Sequence, residues 1–202
     1  MFKKSSALIY IILAVSLICL FPSSATAQIS EGGLPPSFGY TNLLKSGSSA
    51  VDIPVTFSVE DLKTVDAWNV SQGAPLKVAT LIPVQLSIEN SGNWILLPGG
   101  EQIWQLKIQA KDAIAINLYY NDFYIPEGGK LFIYNADHTQ IIGAYTHETH
   151  PKGGRFATEF VAGDDIILEH LAPDSGEKAR ISIEEVGYGY NHLSVVLTPR
   201  AT

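Results

Sequence analysis

Strict alternation of apolar and polar residues over residues 104–110 constrains the fold of this chain more than any other feature. The apolar members are every second residue: Trp104, Leu106, Ile108 and Ala110. Glutamine and lysine fill the positions between them. Because successive side chains of a β-strand point to opposite faces, this pattern predicts a strand with one face in a core and one face toward water.

Other short apolar runs, separated by turn residues, follow the same pattern along the chain. The expected strands are 53–59, 76–89, 104–110, 114–120, 130–135, 140–146, 155–161, 165–171 and 179–186. Strong turn signals such as Pro126-Glu127-Gly128-Gly129 lie between them. No convincing amphipathic helix is present in the sequence, and the only candidate is residues 59–68. We therefore predict an all-β fold, an antiparallel β-sandwich or jelly-roll-like domain, over residues 51–190.

The first 27 residues have the layout of a secretory signal peptide. Two lysines precede an apolar run over residues 7–21, and the small residues Ala25 and Ala27 stand where a signal peptidase reads the chain. The run is shorter than the roughly 18 to 25 residues that a membrane-spanning helix needs. We therefore expect cleavage before Gln28, no stable membrane anchor afterwards, and a secreted protein in the periplasm, at the cell surface or outside the cell.

Composition divides the rest of the chain. Glycine, serine and proline dominate residues 28–50, where no apolar period survives, so we predict a flexible leader there. Residues 191–202 contain no obvious closing element and are interpreted as a tail or a truncated linker. The expected organisation is thus signal peptide 1–27, leader 28–50, β-domain 51–190 and tail 191–202.

Cysteine usage and charge exclude several classes of function. The single cysteine, Cys19, lies within the predicted signal peptide, so the mature chain is expected to have no disulfide, thiolate metal ligand or cysteine nucleophile. The net charge is −7, and removal of the signal peptide's two lysines makes it more negative. The chain has no run of lysine and arginine residues that could neutralise phosphates and release their counterions. This argues against nucleic acid or an anionic membrane as partner.

Two short motifs resemble parts of known sites. Asp174-Ser175-Gly176 resembles the nucleophile turn of trypsin-type proteases, but the further glycines and the apolar strand of that pattern are missing. Asp164-Asp165 lacks the alternating acids of a calcium loop. Asp, Ser and Gly are favoured turn residues, so we interpret both motifs as turns.

Histidines form the densest group of potential metal ligands, His147-Glu148-Thr149-His150, with Asp137 and His138 as further candidates. Zinc motifs on helices place two histidines four residues apart, whereas the spacing here is three and no helix is predicted. Glu169 and His170 are neighbours in a predicted strand and therefore point to opposite faces. We assign no catalytic, cofactor-binding or metal-binding residue and expect no cofactor; a small metal-dependent hydrolase centred on His147 and His150 is a third interpretation.

Aromatic residues suggest an alternative function in carbohydrate binding, because flat rings stack on sugars. The candidates are Trp94, Trp104, Tyr119, Tyr120, Phe123 and Tyr124. Trp104 alternates with polar neighbours and is expected in the core, whereas Tyr119 shares its face with Asn117 and is the better candidate for an exposed ring. A carbohydrate- or surface-binding β-sandwich is therefore kept as the alternative interpretation.

From Gly92 onward the sequence carries an ordered series of short segments. They are Gly99-Gly100-Glu101-Gln102-Ile103-Trp104, residues 113–118, Ile125-Pro126, Gly128-Gly129-Lys130-Leu131-Phe132-Ile133-Tyr134-Asn135, residues 142–144, 156–158, 161–164 and 167–169, Pro173, Ile183, and Val186-Gly187-Tyr188-Gly189-Tyr190. Taken in order, the series resembles the N-terminal pro-region of secreted bacterial lysyl-endopeptidase-like proteases, which have a trypsin-type catalytic domain further along. The resemblance covers residues 92–190, with a looser match over 34–89.

The resemblance implies a β-rich domain that assists folding of its protease and holds it inactive during export. The implied partner is a protease catalytic domain, in cis in that family. In the family a linker and the catalytic domain follow the Gly-Tyr region, whereas twelve residues follow Tyr190 here, so no catalytic residue is carried over. A truncated gene product, a fragment and a free-standing pro-domain-like protein acting in trans all remain open.

Overall fold

The computed structural model describes residues 30–40 and 50–191. The expected signal peptide, with its cleavage-site residues Ala25, Ala27 and Gln28, lies outside the described residues. Residues 41–49 of the expected leader and residues 192–202 of the expected tail also lie outside them.

The described residues form eleven strands, one α-helix and two short 3-10 helices. The strands are β1 Ala50–Asp52, β2 Ala79–Ser87, β3 Asn93–Leu96, β4 Gln102–Gln109, β5 Ala115–Tyr124, β6 Lys130–Asn135, β7 Ile141–Tyr145, β8 Phe156–Ala157, β9 Val161–Ala162, β10 Asp165–Leu171 and β11 Arg180–Gly189. The α-helix, α1, is Val59–Ser71, and the 3-10 helices are Pro36–Gly39 and His147–Thr149.

The strands form two sheets, and most neighbouring strands in them are distant in sequence; β3 with β4 and β6 with β7 are the consecutive pairs among those described. Sheet A has the order β1-β4-β10-β6-β7, with β3 also paired to β4, and sheet B has the order β2-β11-β5-β8, with β9 also paired to β5. Among the described pairs, β1 with β4 is parallel, and the others are antiparallel. The predominantly antiparallel pairing agrees with the alternation in the sequence.

One apolar core lies between the inner faces of the two sheets. Sheet A contributes Trp104, Leu106, Ile108, Leu131, Ile133, Ile166 and Leu168, and sheet B contributes Ile82, Ile116, Leu118, Tyr120, Ile181, Ile183 and Val186. All four apolar residues of the alternating run 104–110 are 0% exposed. The prediction of an all-β fold is thus confirmed at the level of two sheets around one core.

Helix α1 follows a conventional N-cap: the Ser58 side chain accepts a hydrogen bond from the Asp61 N–H at 3.3 Å. Val59 and Leu62 pack against the core, and the buried Asp66 carboxyl accepts a 2.5 Å hydrogen bond from the Tyr190 hydroxyl. The helix candidate at 59–68 is therefore confirmed.

The expected strand at 53–59 differs from the structure, in which β1 ends at Asp52 and α1 begins at Val59. The Ile53 N–H still donates to the Gln109 carbonyl oxygen at 2.8 Å, but Pro54 has no N–H to continue a ladder. Val55 and Phe57 pack against the core from this connection. Their apolar pattern thus reflects burial without strand pairing.

Residues 30–40, which we call the strap, lie against sheet A although their composition predicts a flexible leader. The Glu31 N–H donates to the Ala144 carbonyl oxygen at 3.1 Å, and the Gly32 N–H donates to the Gly143 carbonyl oxygen at 3.1 Å. The strap then turns through the 3-10 helix Pro36–Gly39, in which Ser37 is buried. Its partners are more than a hundred residues away in sequence, so local composition carries no sign of the contact.

Candidate functional site

The motif Asp174-Ser175-Gly176 forms a turn between β10 and β11. The Gly176 N–H donates to the Pro173 carbonyl oxygen at 3.1 Å, and the Ser175 hydroxyl accepts from the Glu177 N–H at 3.3 Å. Ser175 lies at a shallow depression of about 310 Å³, and the described residues that line it include no histidine to act as a base. The geometry is that of the turn expected from the sequence.

The histidine-rich segment forms the 3-10 helix His147–Thr149, which Thr146 caps. Within residues 30–40 and 50–191, no group of three or more potential metal ligands comes together. Asp137 and His138 lie in the turn before β7, at the opposite end of that strand from His147. The structure therefore does not gather these candidates into one centre.

Glu169 and His170 point to opposite faces of β10, as the sequence predicts. The His170 ring is buried on the inner face with Nδ1 3.1 Å from the Lys130 carbonyl oxygen. Burial lowers the pKa of His170 to about 4, although the hydrogen bond to Lys130 acts in the other direction. His170 is therefore a neutral residue of the core near neutral pH.

Tyr119 is half-buried on the outer face of sheet B. Its ring leans toward Gly187, where a Cβ would lie 3.5 Å from Tyr119 Cε2. Asn117, on the same face, is only 4% exposed and fills the space over Gly187. Tyr119 thus packs along its own sheet, and this arrangement gives little support to a flat sugar-stacking platform.

An edge of sheet A carries exposed apolar side chains instead. We call strand β3, Asn93–Leu96, the open edge: it pairs with β4 on one side, and no described strand pairs with its other side. Trp94 lies directly opposite Trp104 and therefore on the core-facing side of the sheet. Nevertheless Trp94 is 52% exposed and Leu96 is 65% exposed, whereas Trp104 is 0% exposed.

The turn that precedes the open edge is held against the core. The Trp104 indole Nε1 donates a 2.8 Å hydrogen bond to the Ser91 carbonyl oxygen. Gly92 has φ +76°, and a Cβ at this position would lie 2.5 Å from the Gln105 carbonyl oxygen and 2.7 Å from Trp104 Nε1. The Trp94 ring contacts the His170 ring edge-on, with 6.2 Å between centroids. These contacts fix the position of Trp94 while leaving half of its surface open.

Sequence reasoning named Trp94 but did not separate it from the buried aromatic residues. The signal that distinguishes it is its place in a four-residue strand that directly follows a turn and ends one sheet. The core-facing side chains of this strand, Trp94 and Leu96, are exposed. Alternation alone predicts the face of a residue and not whether that face is covered.

No protein-family model matches this chain, and no solved structure matches it. The resemblance to a protease pro-region therefore stays a prediction from the sequence.

None of the helices within residues 30–40 and 50–191 is long and apolar enough to cross a membrane.

Proposed function

We propose that this chain is a secreted, non-catalytic module that acts by protein–protein contact, as the pro-region of a lysyl-endopeptidase-like serine protease does. Its partner is the catalytic domain of such a protease, which it assists in folding or inhibits. The observation that carries the proposal is the open edge, where Trp94 is held in place by the His170 ring and is exposed together with Leu96. The jelly-roll-like class is part of the same proposal, and the pairing of strands distant in sequence supports it.

Exposed apolar residues on an edge strand favour a partner over solvent. Natural edge strands are commonly protected by charge, proline or a covering element, because an open apolar edge invites association. Tryptophan is among the residues that most often carry the binding energy of an interface. Covering the exposed half of Trp94 removes on the order of 100 Å² of apolar surface from water, which stabilises a complex by about 2–3 kcal/mol.

The backbone of the open edge offers a second type of contact. Its outer side presents N–H and C=O groups that an extended segment of the protease can pair with, so that the segment becomes an additional strand of sheet A. Main-chain hydrogen bonds then supply affinity, and Trp94 and Leu96 select apolar side chains on the added strand. The negative net charge of the chain adds long-range attraction if the protease presents a basic surface, and that part of the affinity falls with salt.

The direct test is inhibition of a lysyl-endopeptidase-like protease by the mature chain, residues 28–202, over a range of salt concentrations. We expect saturable inhibition by the wild-type chain and at least about a tenfold loss with Trp94→Ala, since removal of an interface tryptophan costs about 2 kcal/mol or more. Trp68→Ala is the matched control: Trp68 is 65% exposed on α1, away from β3 in sequence, and its loss should leave inhibition unchanged.

Two outcomes separate the function from the site. A folded wild-type chain that neither inhibits nor binds the protease contradicts the proposed function. If the wild-type chain inhibits the protease, and Trp94→Ala and Trp68→Ala weaken that inhibition equally, the proposed function stands. The open edge is then not the site that binds the protease.

A further inference from the structure

The outer face of sheet A, which is turned away from the core, holds a fully buried carboxyl group. Glu169 is 0% exposed, and its neighbours across β10 are Gln105 on β4 and Phe132 on β6. A polar residue on the outer face of a sheet ordinarily contacts water. Here the strap covers it, and burial of such a group is tolerated only when hydrogen bonds replace those to water.

Neutral donors reach the Glu169 carboxyl group from three directions. Ser37 donates twice, from its N–H at 2.8 Å and from its hydroxyl at 2.6 Å. Gln105 Nε2 donates at 2.8 Å and the Tyr134 hydroxyl at 3.0 Å. The two donors from Ser37 belong to the strap. Sheet A alone therefore supplies only two of these four hydrogen bonds to the carboxyl group.

An aromatic clamp lies beside this carboxyl group. The Phe38 ring stacks on the His138 ring at 4.3 Å between centroids and meets the Tyr134 ring edge-on at 5.0 Å. Phe38 packs on a small apolar cluster that is separate from the main core and contains Phe132 and Ala144. Serine and phenylalanine, adjacent in the strap, thus occupy adjacent polar and apolar subsites on the sheet.

The start of the strap pairs with the backbone of β7. The Glu31 N–H and the Gly32 N–H donate to the Ala144 and Gly143 carbonyl oxygens, and the Ala144 N–H donates back to the Gly32 carbonyl oxygen at 3.3 Å. Main-chain pairing at a sheet edge, combined with side-chain subsites further along, is how many domains bind extended peptides from other proteins.

We propose that the outer face of sheet A is a peptide-recognition groove that selects a serine followed by an aromatic residue. The strap occupies it in cis, and a segment of a partner protein with the same pair of residues, turned at this point as the strap is, can take its place. Glu169 recognises the serine through its N–H and hydroxyl, and Tyr134 with His138 holds the aromatic ring. This inference does not depend on the open edge or on a protease partner.

The test uses the complete mature chain and a fluorescent synthetic peptide of residues 30–40. In the wild-type chain the tethered strap competes at an effective concentration near the millimolar range, so the peptide binds weakly. Phe38→Ala weakens the chain's own strap and leaves the groove intact, so we expect peptide affinity at least tenfold above wild type by fluorescence anisotropy. Adding Glu169→Gln to Phe38→Ala should abolish that gain, whereas adding Glu148→Gln at an exposed position should preserve it.

A control peptide with Ser37→Ala should bind the Phe38→Ala chain at least tenfold more weakly than the wild-type peptide. Hydrogen exchange on the wild-type chain is an independent readout: excess peptide should increase exchange in residues 30–40. The proposal is overturned if a folded Phe38→Ala chain fails to bind the peptide, or if Glu169→Gln leaves binding unchanged. Concentration-dependent dimerisation of the wild-type chain that Glu169→Gln abolishes would make a second copy the occupant and overturn the assignment to a separate partner.

Discussion

Replacing Gly92 by alanine tests how the turn before the open edge is attached to the core. Gly92 has φ +76°, in the left-handed region, where an alanine costs about 1–2 kcal/mol. The new Cβ would also lie 2.5 Å from the Gln105 carbonyl oxygen and 2.7 Å from Trp104 Nε1. Neither atom moves easily, because one belongs to the backbone of β4 and the other to a tryptophan that is 0% exposed.

The overlap adds to the backbone cost. Overpacking of a buried site costs about 1–3 kcal/mol, and displacement of the turn endangers the Trp104–Ser91 hydrogen bond, worth about 1 kcal/mol. Gly100→Ala is the matched control, since Gly100 has φ +93° with no atom within 4 Å of its Cβ position. We expect Gly100→Ala to cost about 1–2 kcal/mol and Gly92→Ala about 2 kcal/mol more.

Urea unfolding of a chain of residues 28–202, followed by tryptophan fluorescence, measures both free energies of unfolding. For a chain of this size the extra 2 kcal/mol corresponds to a further decrease in Tm of about 4–8 °C. If Gly92→Ala destabilises the protein no more than Gly100→Ala does, the turn is not packed on Trp104 as described, and the fixed position of Trp94 loses its structural basis.

Two further predictions concern buried polar groups. His170 has a pKa of about 4 in the folded protein and about 6.5 when unfolded, so the unfolded chain binds more protons between these values and stability falls as the pH is lowered through this range. We expect a loss of about 1.5 kcal/mol between pH 6.5 and 5 in urea unfolding, which His170→Gln should flatten; an unchanged slope would show that His170 is not buried as a neutral group. Tyr120 has a buried hydroxyl without a hydrogen-bond partner among the described residues, so Tyr120→Phe should be neutral or slightly stabilising, whereas Tyr134→Phe removes a hydrogen bond to Glu169 and should cost about 1–2 kcal/mol. The reverse order in thermal unfolding would refute this assignment.

The local sequence pattern predicts much of the fold, because apolar–polar alternation reports which way the side chains of a strand point. The face of β4 that contains Trp104 follows from alternation, and the turn at residues 126–129 follows from its proline and glycines. Helix α1 was only a candidate from the sequence, because Val65 and Trp68 are exposed and no clear apolar face marks the helix.

The open edge and the outer face of sheet A are not predictable from the local pattern. Whether the side chains on a face are covered depends on contacts between segments that are distant in sequence. Gln105 and Glu169 have the polar character of an outer face, yet both are buried: Ser37 of the strap binds Glu169, and Gln105 donates a hydrogen bond to the same carboxyl group. Trp94 has the character of a core residue, yet it lies on the edge strand β3 and is 52% exposed. In each case the identity of the residue predicts its face correctly, and only the tertiary arrangement shows what covers that face.

The strap also has a consequence for the order in which the chain can fold. Ser37 is among the first described residues to be synthesised, but its partner Glu169 follows 132 residues later. Likewise, among the described strands β2 pairs only with β11, whose Gly189 lies opposite Ala79. A chain dominated by such distant contacts folds slowly and late, since loop closure must precede the contacts that reward it. Its nascent form therefore stays unfolded through most of synthesis, and the export that we propose would make use of that unfolded state.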